Sequence, residues 1–222
     1  MTTVAVLADP PVDGEVLPAL TDGPLDDSAA AALYTAMLSD VCRAIETSGA
    51  ELLINYRPAD QVSTDVDPKA ALSEPLDGVL ESPGSVRYEV QVGSTWSARV
   101  GNTVTHLLER EGVRTAAAIE PSAGLLTRQQ IDSAAMKLRS AEVVLGPAAD
   151  SRVFYAGFAE PVDFEDAYDT PAVETLTDRA GDADLSVDFL PTTPVVETPT
   201  DLRTVVPLLR ARNRADRVVP PR

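Results

Sequence analysis

The feature that most constrains the fold is a pair of apolar segments joined by a short polar turn, at residues 143–158. The first segment stops at Gly146-Pro147, the turn ends in Asp150, and the second segment covers residues 153–158. Short apolar runs bounded by turn residues predict buried strands. Ligands of open α/β sheets bind at the carboxyl ends of the strands, so this turn is predicted to border a ligand site.

The rest of the chain alternates strands with amphipathic helices, which predicts a largely parallel sheet covered on both faces. The other predicted strands are residues 3–8, 51–56, 86–90, 113–119 and 186–190. The predicted helices are residues 28–48, 94–111, 127–140, 171–179 and 199–212. Pro207 predicts a kink or an early end in the last helix. Residues 57–84 are rich in Pro, Asp, Ser and Gly and predict a long surface connection.

A chain of 222 residues suits one α/β domain. We predict a single domain at residues 1–212 with a loop-rich excursion at 57–84, followed by a flexible basic tail at 213–222. The basic cluster around this tail consists of Arg210, Arg212, Arg214, Arg217 and Arg222. We interpret it as a solvated helix end, where cations suit the helix dipole, followed by a frayed terminus.

The charge of the chain is strongly negative, at −17, and only two lysines occur. This composition favours a protein adapted to a high-salt (halophilic) cytoplasm over an ordinary acidic protein, because salt screens self-repulsion. The acidity argues against general nucleic-acid binding. Cys42 is the only cysteine, so an intrachain disulfide is excluded and a core position is predicted. The sequence shows neither a membrane span nor a signal peptide, and we expect a cytoplasmic protein.

Several weak motifs occur in a fixed order. They are the Gly146–Asp150 turn with the aromatic-Gly strand after it, Gln91-Val-Gly93 followed by Arg99-Val100, and the Thr-Pro helix starts at 170–171 and 198–199. Together they resemble the domain-of-unknown-function 2064 family, also described as selenodomain-associated transferases, over most of the chain. The resemblance implies a glycosyltransferase-A-like (nucleotide-diphospho-sugar transferase) three-layer α/β fold. It also implies kinship with sugar nucleotidyltransferases and cofactor guanylyltransferases.

The resemblance also implies site residues. Ligand-binding positions would be Gly14, Gln91, Gly93, Arg99 and Ser122, and a Mg²⁺ or Mn²⁺ ion would be held by Asp150 and Glu197. The implied partner is a nucleotide or nucleotide sugar.

This chain departs from the family where phosphate and metal would bind. The basic segment after the first strand is replaced by Asp13-Gly14-Glu15, whose negative charge opposes phosphate binding. The family's metal-binding Asp after the strand 113–119 is Ser122, a poor ligand for a hard cation. Glu120 is an alternative ligand if the loop is shifted by two residues. The resemblance therefore implies a partly degraded site.

Most of these residues also have an ordinary structural interpretation. Asp150 either binds a ligand or bonds its own turn, and Glu197 either coordinates a metal or favours the following helix start. Arg99 either clamps a phosphate or pairs with a carboxylate such as Glu89. Trp96 either stacks on a base or packs in the core. His106, the only histidine, lacks a triad and is interpreted as structural.

The sequence leaves the function open between classes. The leading prediction is a nucleotide-dependent transferase of glycosyl or nucleotidyl groups. The alternative is a catalytically inactive relative that acts as a ligand-binding or protein-interaction module, and a third is a different enzyme that uses Glu120. No catalytic residue is assigned from the sequence.

Overall fold

A computed structural model describes residues 2–63, 65–169 and 171–215. Seven strands form its single central sheet: β1 (Thr2–Ala8), β2 (Glu51–Tyr56), β3 (Arg87–Val90), β4 (Thr115–Ile119), β5 (Val143–Pro147), β6 (Val153–Phe158) and β7 (Val187–Phe189). The helices are α1 (Pro18–Thr21), α2 (Asp27–Ser48), α3 (Pro68–Asp77), α4 (Trp96–Thr105), α5 (Arg128–Lys137), α6 (Ala172–Asp182) and α7 (Pro199–Arg214).

The strand order is β3-β2-β1-β4-β6-β5-β7. All neighbouring pairs are parallel except those of β6, which runs antiparallel to β4 and β5. The predicted apolar pair is therefore β5 and β6, joined by the short turn. Successive strands leave β1 in one direction towards β2 and β3, and in the other towards β4. This reversal between β1 and β4 is the switch point at which open α/β sheets form a crevice.

Helices cover both faces of the sheet, as the alternating pattern predicts. On one face, α2, α3 and α5 pack through buried residues such as Val41, Leu72 and Ile131. On the other face, α4 and α6 pack through Val104 and Leu176. The prediction of a three-layer α/β fold with a mostly parallel sheet is confirmed. Cys42 is fully buried in the first of these cores, as predicted.

Residues 57–84, predicted as a long, loop-rich surface connection, also contain a helix that the sequence did not predict, α3. Asp67 caps this helix by accepting a hydrogen bond from the Lys69 N–H, and a proline occupies its first turn. Leu72 and Leu76, four residues apart, are fully buried against the sheet. Pro75 inside the helix obscures this short pattern in the sequence.

Two helix ends also differ from the predictions. The helix α4 ends at Thr105 and continues as one π-helical turn, His106–Arg110. The last helix does not end early at Pro207 but runs to Arg214, and Val205 and Leu209 pack on either side of the proline against α2. Thr170, predicted to cap α6, and residues 216–222 of the predicted tail lie outside the described residues.

Within residues 2–63, 65–169 and 171–215, no helix combines the length and the apolar character that crossing a bilayer requires.

Candidate functional site

Polar side chains converge where the parallel strands end, around the switch point between β1 and β4. Asp9 directly follows β1, Arg57 follows β2, Gln91 follows β3 and Glu120 follows β4. Arg152 directly precedes β6, and because that strand is antiparallel it starts at the same edge. The topology alone therefore gathers two carboxylates, two guanidinium groups and an amide at one edge of the sheet.

The loop after β1 is tied to the end of β2 by Arg57. Its Nε lies 2.5 Å from Asp9 Oδ1, and its Nη2 donates to Glu15 Oε2 at 2.7 Å. The backbone N–H of Ser63 donates to the other Glu15 oxygen at 2.7 Å. Burial opposes the charge of Glu15, whose side chain is 5% exposed, but the hydrogen bonds from Ser63 and Arg57 lower its pKa. Thus the charge of Glu15 is compensated within the protein, whereas Asp13 is exposed.

Asp9 is held beside these groups by its own backbone. Its N–H donates to the hydroxyl of the buried Tyr34 at 2.9 Å. Burial raises the pKa of the Asp9 carboxyl, and the positive charges of Arg57 and Arg99 act against that rise. Two opposing effects therefore act on the Asp9 carboxyl: burial favours its protonated form, and the two arginines favour its ionised form.

A second ion cluster is centred on Arg152. Its Nη1 donates to Glu197 Oε2 at 2.8 Å, and its Nη2 donates to Asp201 Oδ1 at 2.8 Å. Asp201 is only 6% exposed and also accepts hydrogen bonds from the backbone N–H groups of Glu197 and Thr198. Although burial opposes ionisation, the bonds from Arg152 and these N–H groups lower the pKa of Asp201 to about 2. Asp201 is thus the permanent anion that fixes Arg152 to the start of α7.

Arg99, on α4, is the cation of the site without an anionic partner. No carboxylate of the described residues lies within ion-pair distance of it, and its buried Nε has no hydrogen-bond acceptor among them. Its Nη1 donates to Gln91 Oε1 at 3.1 Å. Gln91 is buried, and its Nε2 donates to the carbonyl of Asn55 at 2.7 Å. The guanidinium is therefore held in place by a neutral network that leaves its charge available.

Gly93 allows the loop between β3 and α4, residues 91–95, to lie directly against α4. Its φ is +137°, and a Cβ atom there would lie 2.9 Å from the backbone of Ala98 and Arg99. Any side chain would therefore force the loop away from the start of α4. The predicted group Gln91, Gly93 and Arg99 is brought together by the fold.

Glu120 is the carboxyl at the centre of the site. Its side chain is partly buried, and no described residue hydrogen-bonds its carboxylate. Burial, followed by the negative charges of Glu197 and Asp9, raises the pKa of Glu120 to about 8, against the opposing charges of Arg152 and Arg99. A carboxyl that gains and loses its proton near neutral pH is suited to general acid–base chemistry.

The other predicted ligand residues differ in their exposure to solvent: Ser122 is buried, whereas Gly14 and Asp150 are exposed. Ser122 is buried, and its hydroxyl donates to Glu197 Oε1 at 3.0 Å. Gly14 lies exposed on the loop after β1, with φ +81°. Asp150 lies in the turn between β5 and β6 in the left-handed conformation, with φ +57°, and its side chain is 77% exposed.

The two predicted metal ligands, Asp150 and Glu197, share Arg152 as an ion-pair partner in this arrangement. Arg152 contacts both, at 3.7 Å from Asp150 and 2.8 Å from Glu197, so a guanidinium occupies the position between them. Both oxygens of Glu197 already accept hydrogen bonds. Among the described residues, no group of three or more His, Cys, Asp or Glu side chains could hold a metal ion. A Mg²⁺ or Mn²⁺ ion at this position would compete with Arg152 for Glu197.

The structure also shows the surroundings of three residues that the sequence singled out: the partner of Glu89, the packing of Trp96 and the exposure of His106. Glu89 pairs with Arg87 rather than with Arg99. Trp96 is partly buried and packs edge-on against Tyr168, with ring centroids 6.3 Å apart, as in a core contact. His106 is exposed, 3.4 Å from a carboxylate oxygen of Glu111.

Four members of the site are not predicted from the sequence: Arg57, Arg152, Asp201 and Tyr34. Arg57 and Arg152 each border a strand at the edge where the site lies, which is the signal that could have found them. Asp201 is the N3 residue of a capping box whose N-cap is Thr198, and in the sequence this motif explains Asp201 fully as a helix-capping residue. Nothing in the sequence indicates that Tyr34 reaches Asp9.

The fold is shared with solved structures of transferases. A proposed nucleotide-diphospho-sugar transferase from Desulfovibrio desulfuricans G20 is similar over 95% of this chain and 87% of that chain, with a TM-score of 0.77 and 20% identity. A 4-diphosphocytidyl-2C-methyl-D-erythritol synthase has a TM-score of 0.55 and 13% identity over 94% of this chain and 97% of its own. A CMP:2-keto-3-deoxy-manno-octonic acid synthetase complexed with CTP has a TM-score of 0.53 and 11% identity over 95% and 99%.

These similarities establish the fold class, a mixed α/β fold of the nucleotide-diphospho-sugar transferase type. No protein-family model matches the sequence, and no curated protein matches it either.

Proposed function

We propose that this protein is a nucleotide-dependent transferase that moves a glycosyl or nucleotidyl group from a nucleotide-linked donor to an acceptor hydroxyl. The donor would lie across the carboxyl ends of β1 and β4, with its phosphates against Arg99. The shared fold supports this class, since the structural neighbours are nucleotidyl and sugar transferases and one of them is complexed with CTP. Ligand binding at the switch point is also the general rule for such sheets.

The single observation that carries the proposal is that the buried Nε of Arg99 has no hydrogen-bond acceptor among the described residues. A buried guanidinium N–H without an acceptor costs free energy, and a phosphate oxygen would supply the missing acceptor. The pairing would be charge-assisted and held by a preformed network through Gln91, so little ordering would be needed on binding. Gly14 and Gly93 would let the backbone approach the donor on either side.

Glu120 would then serve as the proton acceptor for the incoming hydroxyl. The acceptor oxygen would attack the phosphorus or the anomeric carbon of the donor, its proton would pass to Glu120, and the nucleotide or pyrophosphate would leave with the bonding electrons. The proposal needs Glu120 ionised when substrates bind, and the charge of Arg99 favours that form.

The metal predicted from the family resemblance enters no step of this scheme. Asp150 and Glu197 remain the candidates for Mg²⁺ or Mn²⁺, and the ion would compete with Arg152 for Glu197. We also propose that the chain is a member of the domain-of-unknown-function 2064 family whose phosphate loop has lost its cations. The order of the motifs supports it, as does the pairing of Arg57, the cation next to the loop, with both Asp9 and Glu15.

A second candidate function is a catalytically inactive relative that binds a ligand or a protein partner. The pairing of Arg57 with Asp9 and Glu15, and of Arg152 with Glu197 and Asp201, favours it. Two of the three cations of the site are neutralised within the protein, which weakens its hold on phosphates.

Isothermal titration calorimetry with CTP, UTP, GTP, UDP-glucose and GDP-mannose, each with and without Mg²⁺, tests the proposal. We expect one of these to bind, and Arg99→Met to weaken its binding about tenfold to a hundredfold, the range for a lost hydrogen bond to a charged group. Arg110→Met, at an exposed arginine after α4, is the matched control and should bind normally. A full panel without binding to the wild-type protein would overturn the proposal.

Turnover separates the two candidate functions. If the protein is a transferase, Glu120→Gln should bind the donor as the wild type does but form product far more slowly. Binding without any turnover, in the wild type and across a panel of sugar and polyol acceptors, would favour the inactive relative.

A further inference from the structure

A large apolar groove lies in the helical layer, and none of its lining residues is a charged residue of the clusters at the strand ends. Its volume is about 950 Å³, and it runs between α2 and α7 beside the segment that precedes α5. Its walls include Leu33 and Met37 of α2, Leu125, and Val205 and Leu209 of α7. This volume is in the range of pockets that take small-molecule ligands.

Positive charge is concentrated at the rim of the groove. Arg43, Arg128, Arg210 and Arg212 all line it, in a protein whose net charge is −17. Arg43, Arg210 and Arg212 form no ion pair with any residue that the structure describes, while Arg128 contacts Asp132 at 3.3 Å. Among the described residues of the lining, Asp40 is the one acidic residue, so arginines outnumber it four to one.

The apolar and charged parts of the groove are separated along α7. In α2 the lining residues up to Met37 are apolar, and Asp40 and Arg43 follow. In α7 the lining residues up to Leu209 are apolar, and Arg210 and Arg212 follow. The lining of α7 therefore changes from apolar to basic towards its carboxyl end, whereas α2 contributes one acidic and one basic residue before the uncharged Ala44 and Thr47.

We propose that this groove binds a single-chain anionic amphiphile, a molecule with one alkyl chain and a phosphate head group. The chain would lie along Leu33, Met37 and Val205, where its burial removes apolar surface from water. The head group would accept hydrogen bonds from Arg210 and Arg212, with Arg43 adding charge from α2. The groove shares no lining residue with the charged clusters at the strand ends, and its binding of an amphiphile does not depend on the proposed transferase activity.

The charge of the protein makes the sign of the head group a stringent criterion. A chain with a net charge of −17 attracts cationic amphiphiles and repels anionic ones everywhere except where arginines dominate locally. Preference for an anionic head group would therefore come from the rim of the groove and not from general adsorption.

The test uses the full chain and alkyl phosphates of 8, 10 and 12 carbons, titrated by calorimetry below their critical micelle concentrations. We expect binding at one site and a dissociation constant that falls about fourfold per added methylene, the factor expected for burying a CH₂ group. Dodecyltrimethylammonium, with the same chain and a cationic head, should bind at least tenfold more weakly than dodecyl phosphate. Equal or tighter binding of the cation would overturn the proposal.

Two tryptophan variants of α2 locate the binding. Ala36 is exposed and lines the groove, so Ala36→Trp should fill it and abolish binding of dodecyl phosphate. Ala32 is exposed on the same helix outside the groove, so Ala32→Trp is the matched control and should bind normally. Arg210→Glu combined with Arg212→Glu should weaken dodecyl phosphate at least tenfold while leaving thermal unfolding unchanged. Equal binding by the two tryptophan variants would overturn the proposal. So would sedimentation experiments in which the wild type self-associates, Ala36→Trp does not, and dodecyl phosphate does not bind.

Discussion

The raised pKa of Glu120 predicts that replacing this carboxyl makes the protein more stable at high pH. Glutamine has nearly the same shape as a protonated glutamic acid but cannot ionise. At pH 5 the folded wild type keeps Glu120 protonated, so Glu120→Gln should unfold at nearly the same urea concentration. At pH 8.5 Glu120 of the wild type is ionised, and this buried negative charge is repelled by Glu197 and Asp9. The variant has no such charge and avoids the repulsion.

The size of the effect follows from proton linkage. The pKa rises from its ordinary value of 4.5 to about 8 in the folded protein. Between these values the folded state binds more protons than the unfolded state, so stability falls as pH rises from about 4.5 to 8 and then levels off. At 1.36 kcal/mol per pKa unit, the upper bound is about 5 kcal/mol. Because Glu120 keeps some exposure to solvent and titrates together with its neighbours, we expect a gain of about 1–3 kcal/mol for the variant at pH 8.5.

The assay is urea unfolding of both proteins at pH 5 and pH 8.5, at equal ionic strength, followed by circular dichroism and by the fluorescence of Trp96, the only tryptophan. Other carboxyls titrate equally in the two proteins, so they cancel in the difference. Glu109→Gln, at an exposed glutamate, is the control and should show no dependence on pH relative to the wild type. The reasoning would be refuted if Glu120→Gln were destabilised by the same amount at both pH values.

Three further predictions concern stability. Arg152→Met should lower the free energy of unfolding at pH 7 by about 3 kcal/mol in urea, because it leaves the buried Asp201 carboxylate without its cation, and a loss below about 1 kcal/mol would contradict the assigned role. Leu72→Ala should cost about 2–5 kcal/mol because Leu72 is fully buried, whereas Glu74→Ala on the exposed side of α3 should cost little, and equal effects would mean that α3 does not pack on the sheet. Raising KCl from 0.1 to 2 M should increase the melting temperature, since salt screens the repulsion of a −17 chain, and a decrease would favour an ordinary acidic protein over a salt-adapted one.

The strands and most helix starts could be predicted because their signals are local. Residues 51–56 form β2 with the predicted bounds, and Thr127 with Gln130 forms the predicted capping box of α5. The helix α3 could not be predicted in the same way. Its stability depends on Leu72 and Leu76 meeting the sheet, and that contact is not visible in a segment rich in Pro, Asp and Ser.

The site was predictable only in part, for a related reason. Gln91, Gly93 and Arg99 belong to one short motif, and the fold keeps them together. The ion clusters join residues that are far apart in sequence, such as Arg152 with Glu197, so no local pattern shows that these charges cancel. The sequence therefore indicates the acidity of the loop at Glu15 but not its neutralisation by Arg57.

The central claim is that a nucleotide-linked donor binds at the strand ends and supplies the acceptor that Arg99 lacks. A crystal structure with the tightest-binding nucleotide of the calorimetric panel tests it most directly. We predict a phosphate oxygen within hydrogen-bond distance of Arg99 Nε, with the sugar or base extending over Gly93 and Glu120. A nucleotide bound elsewhere, with Arg99 Nε still lacking an acceptor, would contradict the claim.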